Sequence, residues 1–253
     1  MDDFYVLLPS NVKHLAGGVN STGHYFTYLH KPLHFQGVGW RVALVDISYV
    51  VSWLNVTGEN CEVIGYVKDW KQSAHLPLRA YDNVSQIVDA LNWIMHNEFA
   101  QKTRFGIVGG KVSVYLHAQE KVILHPMTAS MLGFSRHEFH LPRFNYDIDN
   151  AALGIRAPSF PNVHLPLQNI YVYTSITQHI HVGDSLSPLL QTIPLKVGVK
   201  GSIQHVQFLQ PLYLPLGLDD ISVIEIKLCN ERGEVVQFEF GDVILKLHFK
   251  RVV

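Results

Sequence analysis

The chain has 253 residues, enough for one large β domain or two small ones. Folded, such a chain buries roughly three quarters of its extended surface, so it needs no metal or disulfide staple. Its 20 Lys and Arg residues are scattered and balance 21 Asp and Glu, which gives no electrostatic case for a nucleic-acid or anionic-membrane partner.

Cys61 and Cys229 are too few for a disulfide framework, and neither sits in a Cys-x-x-Cys pair. Two buried thiols in a reducing compartment are expected. The N-terminal MDDFYVLLPSNVK is acidic, with an apolar run too short for a signal peptide. No stretch approaches the ~20 apolar residues of a membrane span. The triplets beginning at Asn20, Asn55 and Asn83 have the glycosylation pattern but, without a secretory signal, are expected to be chance matches. Hydrophobic residues make up 47% of the chain and charged ones 16%, which points to a surface partly covered by partners.

In chain order, Phe4 to Leu8 is a short apolar run stopped by Pro9, an expected edge strand. Residues 14–23 are loop by their Gly and Asn content. His24 to Leu29 alternates as a strand does. Trp40 to Trp53 is the strongest strand signal of the first half. Trp40, Val42 and Leu44 share one face and Ala43, Val45 and Ile47 the other, so the strand is either covered on both sides or bends between two sheets. Cys61 to Trp70 gives another strand.

The period then changes. Val84, Ile87, Val88, Leu91, Ile94 and Met95 recur at helical spacing behind Asp82, Asn83 and Gln86, a capping-box arrangement. One amphipathic helix over about 83–99 is predicted. Gly109-Gly110 marks a turn, after which Lys111 to His117 and Lys121 to His125 are expected to pair as a hairpin across residues 118–120. Pro126 to Gly133 suits a short helical segment.

Residues 135–168, with prolines at 142, 158, 161 and 166, are loop-rich, and a long structured loop over about 135–165 is expected. Strands return at Gln168 to His181, Leu189 to Val199 and Ile203 to Leu214. At the C-terminus, Ile224, Ile226 and Leu228 alternate with Glu225 and Lys227, a polar turn follows at 230–233, and alternation resumes through Phe238, Phe240, Val243, Leu245, Leu247 and Phe249. That pattern predicts a β-hairpin. The fold class is mainly β.

Fifteen histidines prompt a search for metal ligands. His179 and His181 would share one strand face, with Asp184 nearby. A cupin-like site also requires an upstream glycine, where Tyr173 stands, and a downstream glutamate, where Ser185 and Leu186 stand. Two solvent-facing histidines on a strand is the preferred alternative. Tyr171, Tyr173 and the tryptophans could stack on sugars, as in a lectin-like β-sandwich, although core packing is the commoner use of such rings. There is no nucleophile elbow, no zinc-protease motif, no phosphate-binding glycine motif and no evident carboxylate pair. No catalytic, cofactor-binding or metal-binding residue is assigned, and no enzyme activity is expected.

Four stretches together resemble the penton, or minor capsid, proteins of Polinton/Maverick elements and adintoviruses, which are related to virophage pentons. They are GVGWRVALVDISYVVSW (37–53), HPMTASMLGF (125–134), IYVYTSITQHIHVGDSLSPLLQTIPLK (170–196) and EIKLCNERGEVVQFEFGDVILKLHFKR (225–251). The resemblance implies one single jelly-roll β-sandwich domain over residues 1–253, with a helix-bearing stretch of about 80–135 as a candidate insertion between strands. It further implies a homopentamer at each icosahedral five-fold vertex, beside trimers of a double jelly-roll major capsid protein. A host receptor or a vertex fibre are further candidate partners. The expected location is the virion, after synthesis as a soluble intracellular protein. In that fold Val243, Leu245, Leu247 and Phe249 would face the core, with Lys246, His248 and Lys250 toward solvent or a neighbouring subunit.

Overall fold

The computed structural model of the chain describes residues 3–12, 19–35, 39–117, 119–140, 153–196 and 198–252. These form two compact units, Met1–Trp53 with Leu167–Val253, and Leu54–Pro166. In chain order, the second unit is inserted into the first.

The strands that open the first unit are β1 (Asp3–Pro9), β2 (His24–His34) and β3 (Trp40–Val50). The inserted unit carries β4 (Glu62–Val67), β5 (Trp70–His75), helix α1 (Val84–Trp93), β6 (Arg104–Val108), β7 (Lys111–Leu116), β8 (Glu120–Leu124), helix α2 (Pro126–Met131), β9 (Glu138–His140) and β10 (Leu153–Arg156). The first unit resumes with β11 (Asn169–Thr174), β12 (Ile180–Val182), β13 (Ser185–Ser187), β14 (Leu189–Pro194), β15 (Ile203–Gln207), β16 (Leu214–Pro215), β17 (Asp220–Cys229) and β18 (Val243–Arg251).

In the first unit, one sheet has the order β1-β18-β3-β15, with β16 also paired to β3, and the other has the order β14-β11-β17-β2. Every one of these pairings is antiparallel. Val42, Ile47, Leu245 and Leu247 of the first sheet and Ile170, Val172, Ile226 and Leu228 of the second belong to one apolar core. Mainly β structure is therefore what the alternation predicted, and β1 is indeed an edge strand among the described residues.

The apolar residues on both faces of β3 have a local cause. Lys246 lies opposite Asp46, but the next residue, Leu247, lies opposite Leu44, so Val45 is an extra residue in the ladder. Such a bulge switches the side-chain parity. Before it Val42 and Leu44 enter the core; after it Ile47 and Tyr49 do, and no further sheet is needed.

The predicted C-terminal hairpin is corrected. β17 and β18 do not pair; they belong to different sheets. After β17 the chain reverses locally, with Cys229 bridged to Val235 and the Val236 N–H donating to Leu228 O at 2.9 Å. It then joins the other sheet, where Phe238 bridges Trp53 and the Glu239 N–H donates to Ser52 O at 2.8 Å. The inward face of β18 is as expected: Val243, Leu245, Leu247 and Phe249 are fully buried. His248 departs from the expectation of an open face. It is buried, covered by Tyr5 and Tyr213.

The inserted unit has its own core, built from two sheets, β10-β7-β6 and β5-β4-β8-β9, and both helices. Asn83 caps α1 by accepting from the Gln86 N–H at 3.2 Å, while Gln86 Oε1 accepts from the Asp82 N–H at 3.0 Å. The capping box is thus offset by one residue. Ile87, Val88 and Leu91 are the buried stripe, and the helix runs on as a π turn over Ile94–Glu98. Phe99 then packs on β4 at Gly65, where a Cβ would come within 2.4 Å of the ring.

The predicted β7–β8 hairpin is also corrected: β7 pairs with β6 and β10, and β8 with β4 and β9. Gly109 and Gly110, both at positive φ, instead turn β6 into β7. What ties β8 to the start of β6 is the buried Glu120 carboxylate, which accepts from the N–H of Lys102 (2.9 Å) and Thr103 (2.8 Å) and from Thr103 Oγ1 (2.7 Å). The expected loop over about 135–165 holds β9 and β10, while its stretch 141–152, including Phe144 and Tyr146, lies outside the described residues. Residues 13–18 and 36–38, which fall in the expected 14–23 loop and at the head of the 37–53 stretch, also lie outside, as do Ala118 and Val197. Of the three glycosylation-type asparagines, Asn55 is buried and bonded to Tyr81 and Val163 backbone, and Asn83 is the helix cap. Asn20 donates to Val12 O and Phe26 O.

Candidate functional site

A depression of about 370 Å³ opens on the outward face of the β14-β11-β17-β2 sheet. The pleat explains its lining. Ile170, Val172, Ile226 and Leu228 point into the core, so Tyr171, Tyr173, Glu225, Lys227 and Cys229 point the other way. Tyr173 lies opposite Lys227, and Tyr171 opposite Cys229. Ser187 and Pro188, at the end of the β12–β13 ribbon, complete one side, and Gly233 of the turn after β17 another.

That turn is fixed by its own side chains. Asn230 Oδ1 accepts from the N–H of Arg232 (2.8 Å) and Glu234 (3.0 Å), and Glu231 Oε1 accepts from the N–H of Gln168 and Asn169 at 3.0 and 2.7 Å. The start of β11 and the end of β17 are therefore held in one frame.

The electrostatics of the depression follow from burial. Burial pushes the Cys229 thiol above its ordinary range, with the Lys227 ammonium pulling the other way. Such a thiol is protonated at neutral pH and a poor nucleophile. Burial likewise raises Tyr173, reinforced by Cys229 and Tyr171. Glu225 is engaged: its Oε1 lies 2.7 Å from His24 Nε2, and its backbone N–H donates to Ser175 Oγ at 3.2 Å. Lys227 is half-buried and has no carboxylate within ion-pair distance among the described residues. Thr174, also in the lining, carries a buried hydroxyl without a hydrogen-bond partner.

The residues singled out in the sequence are divided by the fold. Tyr173 lines the depression; Trp40 packs against Phe4 and Phe35, Trp53 is buried, and Trp70 and Trp93 stand exposed on the inserted unit. His179 and His181 are exposed, and Asp184 accepts from Ser185 Oγ at 3.1 Å. No group of three or more His, Cys, Asp or Glu side chains among the described residues could hold a metal ion. No helix among them is long and apolar enough to cross a membrane. Sequence reasoning assigned Glu225 and Lys227 only to an outward face. Their concave setting depends on the β12–β13 ribbon and the 230–234 turn, which no alternation pattern announces.

Among solved structures, the chain is similar to the mavirus penton protein, with 9% identity over 98% of this chain and 100% of that one and a TM-score of 0.49. It is also similar to a chain of the Sputnik virophage structure, with 10% identity over 99% of this chain and 98% of that one and a TM-score of 0.47. No family model and no curated protein matches the chain.

Proposed function

We propose that the chain is a structural capsid protein, a penton-type minor capsid protein of the Polinton/Maverick and adintovirus kind, without enzymatic activity. The observation that carries this is the strand order of the first unit. Counted along the chain, β1, β2, β3, β11, β14, β15, β17 and β18 are strands one to eight. One sheet then reads 1-8-3-6 and the other 2-7-4-5. The antiparallel pairs 1:8, 2:7, 3:6 and 4:5 are nested, as if one long hairpin had been rolled up across two sheets. That is the order of an eight-stranded jelly roll, an architecture shared by capsid and lectin domains and cupins. The four stretches that resemble penton proteins favour the capsid role among these.

The inserted unit enters between strands three and four. Ring closure about a five-fold axis needs two different, mutually fitting patches on each subunit. The two edges of the β1-β18-β3-β15 sheet support this: Tyr5 and Leu7 are exposed on β1, and Ile203 on β15. The homopentamer would contact trimers of a double jelly-roll major capsid protein at the vertices, and could carry a fibre or meet a receptor there.

Native mass measurement with negative-stain imaging of the purified full chain tests the assembly. Five-membered rings, alone or with the major capsid protein, are expected. A strict monomer under both conditions overturns the proposal.

A further inference from the structure

We propose that the outward face of the β10-β7-β6 sheet, in the inserted unit, binds single-stranded nucleic acid. The pleat sorts its side chains. Phe105, Val112, Val114 and Leu116 are buried in the core of the unit, so Arg104, Lys111, Tyr115 and Arg156 stand on the other face. None of the three strands contains an Asp or Glu, and none of these cations has a carboxylate within ion-pair distance among the described residues. Of the adjoining elements, α1 carries Asp89 and β8 carries Glu120, which the nearby Lys102 offsets in part. Glu138 of β9 is paired with Lys121 at 2.9 Å. The face therefore keeps a positive excess. The balanced charge of the whole chain does not remove it, because exposed charges act over a Debye length of about 8 Å.

The cations are held in place and interleaved with rings. Arg104 lies over the Tyr115 ring at 5.2 Å, and Lys111 over the Phe160 ring at 5.3 Å. Tyr115 and Lys111 are four residues apart on β7, which separates the two pairs by about 13 Å. Arg156, opposite Ser113, sits between them and donates to Val108 O at 3.2 Å, while Lys111 Nζ donates to Pro158 O. Gly106 and Gly154 flank the Tyr115 ring, where a Cβ would come within 3.2 and 3.0 Å of it. Without side chains there, the surface around the Arg104–Tyr115 pair stays flat.

An extended chain that carries both spaced negative charges and planar groups uses all of these features. Its phosphates meet the cations, and its unpaired bases stack on the Arg104–Tyr115 pair and on Phe160, which is 69% exposed. A duplex keeps its base faces hidden. A sulfated glycan would satisfy the charge but has no planar ring to stack, and Ser113, which could serve its hydroxyls, is buried. Every residue of the site belongs to the inserted unit, so the site does not rest on the pentamer proposed above.

The test is fluorescence anisotropy of a labelled oligothymidylate of about ten nucleotides, within the roughly 4–16 that one β-barrel platform covers, titrated with the full chain. Saturable binding is expected, at least about fivefold tighter than to a duplex of the same length, the effect of one stacked base. With three phosphate contacts, affinity should fall about 20-fold between about 50 and 200 mM salt. Arg156→Gln should flatten that dependence by about a third. Phe160→Ala should leave the salt dependence alone and weaken binding at least about fivefold. Unchanged melting temperatures would show that these variants fold. No saturable binding at about 50 mM salt, equal or tighter binding of the duplex or of a heparin fragment of matched charge, or either variant binding like the parent would each overturn the proposal.

Discussion

The ring of Tyr5 stacks on that of His248, with centroids 4.3 Å apart and planes 16° from parallel. His248 Nδ1 also lies 2.7 Å from the Tyr213 hydroxyl, and Lys250 Nζ sits 3.6 Å above the Tyr213 ring. This cluster covers the outer side of β18 and ties edge strand β1 to it. His248→Ala should cost about 2 kcal/mol, from a lost aromatic pair and a tyrosine hydroxyl left without its partner. A double-mutant cycle with Tyr5→Ala, followed by urea unfolding, should give a coupling of roughly 1 kcal/mol. Strict additivity would show that the stack contributes nothing.

Leu247 and Lys246 are neighbours with opposite fates. Leu247 is fully buried, while Lys246 makes a half-buried ion pair with Asp46 at 3.7 Å. An unpaired carboxylate at Leu247 would cost several kcal/mol, on the scale of the roughly 5–15 kcal/mol that holds a domain folded. Leu247→Asp is therefore expected to abolish soluble folded protein, and Lys246→Ala to shift stability by less than about 1 kcal/mol. Soluble yield and circular dichroism of the two variants separate the outcomes.

Val45 is the extra residue that lets Leu44 and Ile47 enter the same core. Deleting it would leave Leu44 and Ile47 two apart, on one face of a regular strand and still opposite Leu247 and Leu245. The deletion should therefore cost only about 1–2 kcal/mol, from the lost twist of the bulge and the Phe208 N–H bond to Val45 O. Val45→Thr keeps the bulge at a half-buried position and should be tolerated. Thermal melts of both variants provide the comparison.

Tyr25 is fully buried and its hydroxyl donates to Leu8 O at 3.0 Å. Burial raises its ionisation far above the ordinary 10.0, and raises Tyr49 and Tyr81 too. The folded chain thus keeps protons that the unfolded chain releases near pH 10. Stability should be flat with respect to these groups below about pH 10, then fall by up to about 1.4 kcal/mol per pH unit for each fully buried tyrosine. Urea midpoints measured across that range should show the decline, and Tyr25→Phe should make it shallower.

The sequence by itself determined which residues alternate, and alternation is a local consequence of the pleat. It therefore identified Ile224, Ile226 and Leu228, then Val243, Leu245, Leu247 and Phe249, as inward faces, and it identified α1 by its helical period. Only the tertiary structure decided which strand lies beside which. β17 and β18, like β7 and β8, look like hairpins because they are consecutive, yet each pair is split between two sheets. A strand's period is the same whichever neighbour it has. Partner choice is settled by closing an apolar core from two sides, which depends on contacts such as β1 with β18, distant along the chain. The depression beside Tyr173 and Lys227 has the same origin, since its walls come from segments that only the folded sheet brings together.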